Sequence, residues 1–391
     1  MYEIEQYAIN YWGQKHSFPW WQHIVGLNND KDPYGRKKFF SEVQQLDFDL
    51  LFCLQDTFIM DFLPQLHQQL RAKGKEFRSI CYYPVDGVPK EQWIRNIDAC
   101  DYTVAYSQFG KRESMKALPS MKDPLVIPHG VNTKDYFVLP EKDMRAFRAQ
   151  FFGSQADKFI FTNVNRNQQR KDIPRTIQAF KVFHDQVPES LLYLHMAKKD
   201  QGWDLPEVVK AYGLDITKDV IFPENFGPNQ GYPRTIVNAI YNSSDCVLTT
   251  TLGEGFGLAW GEAMATKTPV IVPANTAMVE FVTAERGWTI KSGTNPSLFT
   301  VIPNDNEVIR PLVDVEDMVK VMLEVYNNRE EAKRRAENAY NWVTTQMDWQ
   351  GNIVPQWIEV FNNAYIDLKS GNNKHEIEIP EDTRVIDAES F

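Results

Sequence analysis

The sequence predicts an α/β protein with two Rossmann-like domains. Short apolar segments rich in β-branched residues alternate with amphipathic segments along most of the chain, a pattern typical of parallel sheets covered by helices. One of the strands runs directly into a glycine-rich loop at residues 253–257. The chain has 391 residues, which is too long for one hydrophobic core and suits two domains.

The N-terminal half contains four predicted strands, at residues 48–54, 78–83, 102–105 and 125–127. In parallel sheets, residues just beyond the carboxyl ends of the strands face the ligand cleft. Asp56, Asp86, Ser107 and His129 occupy such positions. Asp86 is our candidate for a catalytic group in this cleft, and the alternative is that it caps the turn at Gly87. For His129 a hydrogen-bonded structural role is the alternative to a catalytic one.

An aromatic segment lies near the start of the chain. A strand candidate at residues 7–11 leads into a stretch that contains Trp12, Trp20 and Trp21. Tryptophan rings stack on sugar faces, so this segment is a candidate acceptor surface. A buried aromatic cluster is the alternative.

A basic loop follows the strand predicted at residues 159–163 and precedes a helix predicted at 173–180. Asp172 is suited to cap the helix. The loop carries Arg166, Arg170 and Lys171. Arginine binds phosphate as a planar fork and lysine binds it as a point charge, so this loop is able to neutralise a departing diphosphate. A solvated basic loop is the alternative.

The glycine-rich loop lies between a strand predicted at residues 245–249 and a helix, and another strand follows at 269–272. Glycines allow backbone amides to approach a ligand closely, and a helix N-terminus favours a negative group. Glu254 precedes the helix and Glu262 lies about one turn inside it. These carboxylates are suited to accept hydrogen bonds from sugar hydroxyls, whereas a plain turn with a solvent-facing glutamate is the alternative.

The pair Glu254 and Glu262, with seven residues between them that include Gly-Phe-Gly, resembles the donor-site signature of retaining glycosyltransferases of family 4. These enzymes have the GT-B fold, in which two Rossmann-like domains face each other across a cleft. Arg166 and Lys171 are similar to the family's Arg–Lys pair, although residues 165 and 172 are Asn and Asp where the family usually has glycine. The segments 107–109 and 127–132 also resemble the family.

The resemblance implies transfer of a hexose from a nucleotide sugar with retention of configuration. It implies that Glu254 holds the hexose, Glu262 the ribose, and Arg166 with Lys171 the diphosphate. The backbone of the glycine loop would also contact the donor, through Gly255, Phe256, Gly257 and Leu258. The donor is expected to be a UDP- or GDP-hexose, with no cofactor, and the acceptor to be a glycan, lipid or protein.

The resemblance also implies a domain organisation. Residues 1–135 form an acceptor-side domain and 136–348 a donor-binding domain, while a helix at 349–368 crosses back to complete the first domain. Residues 370–391 are expected to be a flexible acidic tail. The family's opening strand, loop and helix are missing or replaced, and a partner subunit is a possible source of that unit.

Two other functions remain open on the sequence. A catalytically silent GT-B subunit would bind a nucleotide sugar or glycan as the partner of a complete transferase. A nucleotide-sugar epimerase on the same fold would need a general acid and base in the cleft, and none can be nominated securely.

Composition argues against several other classes of protein. The formal net charge is −10, with the acidic excess mostly after residue 135, which is a poor match to nucleic acid. No apolar run is long enough to span a membrane, and the first residues do not resemble a signal peptide, so we expect a cytoplasmic protein. Four cysteines without a Cys-x-x-Cys pair are expected to be reduced, and seven scattered histidines predict no metal site.

Overall fold

The computed structural model describes residues 3–11, 23–26, 32, 34–228 and 230–371. Within these ranges the chain folds as predicted into an α/β structure with two main parallel sheets, of four and six strands. The tryptophan cluster proposed at residues 12–21 and the tail from residue 372 onward lie outside the described residues.

The first part of the chain forms a parallel sheet flanked by helices. Its elements are β1 (Tyr7–Tyr11), β2 (His23–Gly26), α1 (Arg36–Val43), β3 (Leu50–Leu54), α2 (Leu63–Ala72), β4 (Arg78–Tyr83), α3 (Glu91–Asp98), β5 (Tyr102–Ala105), α4 (Gln108–Ala117) and β6 (Leu125–Val126). Strands β3 to β6 form a 4-stranded sheet in that order, and β1 pairs with β2 separately. The strands predicted at 78–83 and 102–105 are confirmed, and the one predicted at 48–54 begins at Leu50.

The second part contains a 6-stranded parallel sheet with the order β12-β11-β10-β7-β8-β9. Its elements are α5 (Glu141–Phe152), β7 (Phe159–Val164), α6 (Ile173–His184), β8 (Ser190–His195), α7 (Leu205–Ala211), β9 (Val220–Ile221), α8 (Arg234–Asn242), β10 (Cys246–Leu248), α9 (Leu258–Ala265), β11 (Val270–Pro273), α10 (Met278–Phe281) and β12 (Trp288–Ile290). Strand β8 is buried along its whole length because helices cover both faces of such a sheet. Helix α6 packs Ile173, Ile177 and Phe180 into the core at helical spacing.

A small hairpin and three helices complete the described chain. They are β13 (Phe299–Val301), β14 (Ile309–Pro311), α11 (Val315–Asn327), α12 (Arg329–Gln346) and α13 (Val354–Lys369). The hairpin is antiparallel, and the sequence analysis did not predict it. Successive side chains of a strand point to opposite faces, and the two faces of this hairpin differ in exposure to solvent. Ile309 is 64% exposed, whereas the adjacent Arg310 is 3% exposed.

Helix α13 packs against the first sheet. The ring of Trp357 lies 4.7 Å from that of Tyr82 and 5.3 Å from that of Phe52. Further along the helix, Arg78 Nη2 donates a hydrogen bond to the backbone oxygen of Asp367 at 3.0 Å. The last helix therefore attaches the C-terminal part of the described chain to the first sheet.

The chain passes between the two sheets at two adjacent places. Near the first crossing, the Val131 N–H donates to the Met347 oxygen at 2.8 Å, and the Trp349 N–H donates to the Val131 oxygen at 2.9 Å. A side chain at Gly130 would come within 2.6 Å of the Trp349 ring. The two crossings are thus bonded to each other and closely packed. No helix in the described part of the chain is long and apolar enough to cross a membrane.

Replacing Trp357 with alanine should destabilise the fold by about 3 kcal/mol, because a large buried aromatic side chain is lost from between the helix and the sheet. Ile366→Ala, at a position on the same helix that is 61% exposed, is the matched control. Thermal unfolding followed by circular dichroism measures both. Equal midpoints for the two variants would contradict the packing described for α13.

Candidate functional site

The candidate site lies where the carboxyl edges of the two sheets face each other. The glycine loop after β10 touches the loop after β4. A Cβ atom on Gly253 would come within 2.0 Å of the backbone oxygen of Asp86. A Cβ atom on Gly255 would come within 2.6 Å of the Pro84 side chain. From the sequence, these glycines were expected to let a ligand approach the backbone closely. The structure shows that they are also needed for the approach of the opposite domain.

Glu254 is the centre of a largely buried ion cluster. One of its carboxylate oxygens contacts Lys171 Nζ, and the other lies 3.3 Å from Arg170 Nη1. Burial alone would raise the pKa of Glu254, but the charges of Lys171 and Arg170 outweigh it and hold the pKa at about 2. Burial lowers the pKa of Lys171, and Glu254 opposes that shift. The two loops that the sequence singled out thus meet through an ion pair.

Asp86 joins this cluster from the opposite domain. Its Oδ2 lies 3.2 Å from Arg170 Nε, and its Oδ1 lies 3.1 Å from Arg310 Nη1. Arg310, from the hairpin, also pairs with Asp305 at 2.6 Å. Asp86 therefore faces the cleft, where it is paired with two guanidinium groups.

Arg166 lies apart from the cluster. Its Nε is 2.6 Å from Asp200 Oδ2, in the segment after β8, and its side chain is 47% exposed. Arg170, which the sequence analysis left without a specific role, is the arginine that contacts Glu254. Arg166 and Lys171 therefore form ion pairs with different residues, Arg166 with Asp200 and Lys171 with Glu254.

Asp172 begins helix α6 in a left-handed conformation, with φ 44°. The predicted capping hydrogen bond from its side chain is wrong: the carboxylate instead pairs with Arg175 Nε at 3.0 Å. Burial raises the pKa of Asp172 to about 6, although Arg175 opposes the shift. The negative charge near the basic loop is thus balanced locally.

Glu262 lies inside helix α9, which begins after Gly257 at φ 89°. Tyr241 donates its hydroxyl hydrogen to Glu262 Oε2 at 2.7 Å. Burial raises the pKa of Glu262, while hydrogen bonds from Tyr241 and Tyr136 oppose the shift. Two phenols thus fix the orientation of this carboxylate.

The other loop residues differ in exposure. Phe256 is 3% exposed and its ring packs 4.8 Å from that of Trp260, so this side chain belongs to the core. Leu258 is 47% exposed. The side chain of Phe256 is therefore not available to a ligand.

Two residues that the sequence analysis missed support the loop. Thr276 has φ 48°, an uncommon conformation for a β-branched residue, and its Oγ1 accepts a hydrogen bond from the Glu254 N–H at 3.0 Å. Glu280 reaches the opposite domain, where its carboxylate accepts hydrogen bonds from the N–H groups of Gln108, at 2.9 Å, and Phe109. The first N–H groups of a helix have no hydrogen-bond acceptor within the helix, and Glu280 provides one for two of them in α4. Neither contact has a local sequence signal.

His129 lies in an aromatic setting at the first crossing. Its ring centroid is 5.8 Å from Tyr106, 5.7 Å from Phe256 and 5.5 Å from Trp349. Burial lowers the pKa of His129. A neutral packing role fits these surroundings.

A groove of about 770 Å³ opens at the carboxyl ends of β8 and β9. Its lining comprises Ala197, Lys198, Lys199, Pro206, Pro223, Glu224, Asn225, Phe226, Gly227, Pro228 and Gln230. Among the residues that the structure describes, no group of His, Cys, Asp and Glu side chains is arranged to hold a metal ion.

Comparison of sequences identifies relatives. The family model described as "Glycosyl transferases group 1" matches residues 145–342. The fission yeast (Schizosaccharomyces pombe) protein named alpha-1,3/1,6-mannosyltransferase alg2 is 26% identical over 245 residues. That match covers 56% of this chain and 45% of the relative, so it spans less than half the relative's length.

Solved structures with the same fold extend over most of the chain. Sucrose-phosphate synthase from Thermosynechococcus elongatus has a TM-score of 0.68 at 17% identity, covering 92% of this chain and 88% of its own. HepE from Anabaena, solved in complex with UDP and glucose, has a TM-score of 0.65 at 16% identity, covering 83% and 80%. The fold is therefore GT-B, as the resemblance implied.

Glu254→Gln should destabilise the chain by about 3 kcal/mol, because Lys171 and Arg170 would lose their buried counter-charge. A carboxylate with a lowered pKa contributes its stability above the unfolded pKa and loses it as the pH falls towards 2. The difference should hold from pH 5 to 8 and shrink below about pH 4. Thermal unfolding measures it, with Glu330→Gln at an 88% exposed site as control. Matching midpoints for Glu254→Gln and wild type at pH 7 would refute the ion cluster.

Proposed function

Because this chain belongs to the glycosyl transferases group 1 family, we propose that it transfers a hexose from a nucleotide sugar to an acceptor hydroxyl with retention of configuration. The observation that carries this proposal is the contact of Glu254 with Lys171 and Arg170 at the mouth of helix α9. To bind a sugar diphosphate, a site needs a group that accepts hydrogen bonds from the sugar hydroxyls and, beside it, fixed cations for the phosphates. This cluster offers both.

We assign the hexose to Glu254 and to the backbone at residues 255–258. The ribose is assigned to Glu262, whose carboxylate Tyr136 and Tyr241 hold in a fixed orientation. The groove at the ends of β8 and β9 has room for the nucleoside base.

The diphosphate is assigned to Lys171 and Arg166, with Arg170 adjacent. Lys171 is largely buried with a side chain 12% exposed, so its charge acts with little screening by solvent. During transfer the bond from the anomeric carbon to the diphosphate oxygen breaks, and its electron pair leaves with the diphosphate. Fixed cations stabilise that developing charge, which lowers the barrier without a protein nucleophile.

The comparisons support a hexose donor and leave the base open. One fold relative was solved with UDP and glucose, and the matched sequence relative is named a mannosyltransferase. UDP-glucose and GDP-mannose are therefore the first donors to test.

A donor should raise the melting temperature of the wild-type chain, since ligand binding stabilises the folded state by mass action, by about 2.7 kcal/mol at a hundred times Kd. Glu262→Ala should abolish the shift, whereas Glu330→Ala at an exposed site should retain it. Differential scanning fluorimetry with each donor measures the shift, and release of free nucleotide reports chemistry.

The outcomes separate the candidate functions. A shift with nucleotide release supports a transferase, and a shift without release under any condition supports the silent subunit. The absence of a shift with every UDP- and GDP-hexose would refute the donor site.

A further inference from the structure

Asp56 lies on the acceptor side of the cleft and has no role in the function proposed above. It follows the carboxyl end of β3, whose last residue Leu54 pairs with Tyr82 of the neighbouring strand. Asp86 follows that neighbouring strand and Tyr106 follows β5. Because all three strands are parallel, these side chains lie at the same edge of the sheet, facing the donor domain.

The two aspartates at this edge differ in their partners. Asp86 is paired with Arg170 and Arg310. The half-buried carboxylate of Asp56 makes no hydrogen bond or ion pair with any residue in the described ranges. Its oxygens are not sealed inside the protein, so this carboxylate is accessible to a group that enters the cleft from outside.

The electrostatics of Asp56 fit a base that works near neutral pH. Burial, reinforced by the charge of Asp86, raises its pKa to about 6, and Arg170 opposes the shift. Burial raises the pKa of Tyr106, and the charge of the Asp56 carboxylate adds to that shift. The nearby charged and titratable groups are Asp86 after β4, Tyr106 after β5 and Arg170 before α6. A base with a pKa near the working pH is ionised and still able to take a proton.

We propose that Asp56 receives the proton of the acceptor hydroxyl during transfer. This inference rests on the proposed glycosyl transfer. The acceptor oxygen forms its bond to the anomeric carbon, the bond from that carbon to the diphosphate breaks, and the hydroxyl proton passes to Asp56. The electron pair of the broken bond leaves with the diphosphate, so that charge and protons balance without another reactant.

Aromatic side chains next to Asp56 indicate which acceptor to use as a probe. Phe58 is 38% exposed, and its ring centroid lies 5.6 Å from that of Trp93. Aromatic rings pack well against the apolar faces of pyranosides. Methyl α-glucopyranoside and methyl α-mannopyranoside are therefore suitable probes, with water as the smallest acceptor.

The test compares Asp56→Asn with Asp47→Asn, an exposed aspartate that lies before the same strand at the opposite end of the sheet. Asp56→Asn should lower the rate of transfer to the pyranosides and to water by about a hundredfold, with unchanged affinity for the donor. The wild-type rate should fall as the pH drops below about 6, and Asp56→Asn should lack that inflection. Asp47→Asn should match the wild type in both respects.

A thermal scan distinguishes loss of chemistry from loss of fold. Asp56→Asn should melt no lower than the wild type at pH 7, because the substitution removes a half-buried charge repelled by Asp86. Equal transfer rates for Asp56→Asn and wild type across the pH range would overturn the inference alone. A wild-type chain that binds a donor but transfers to neither pyranoside nor water would also overturn it. Failure to bind any donor would overturn the proposed function as well.

Discussion

The close contact between the loop at residues 253–255 and the loop at 84–86 is the constraint on which the rest of the cleft depends. No side chain fits at Gly253 or Gly255, since a Cβ atom would overlap the opposite backbone or Pro84. This approach brings Asp86 within ion-pairing distance of Arg170, and it places Glu254 between the two domains. Close backbone packing of the two loops thus sets the positions of the charged side chains in the site.

The charges at this contact illustrate how largely buried cations are stabilised. Lys171 and Arg170 are largely buried cations, which would be costly without nearby anions. Glu254 and Asp86 provide those anions within the chain. Because the cations are largely desolvated and held in place by these anions, the diphosphate of the donor proposed above would meet positive charge that needs little rearrangement.

Local patterns predicted much of the fold but only part of the site. The strands at 78–83 and 102–105 were predictable because buried parallel strands leave continuous apolar runs. The loops carrying Lys171 and Glu254 were identified separately, but their contact depends on the pairing of β7 with β10, which chain order does not reveal. The partner of Arg166, the backbone of Thr276 and the burial of Arg310 arise from tertiary packing, so no local pattern predicts them.

The paired crossings near Val131 and Trp349 determine how the two domains are able to move. A single linker would allow rotation in any direction, whereas two adjacent chain segments that are hydrogen-bonded to each other resist twisting. Such a pair of segments bends most readily about one axis. Any opening of the cleft would therefore bend both segments together about one axis, and closing would return the loops at 84–86 and 253–255 to the same register.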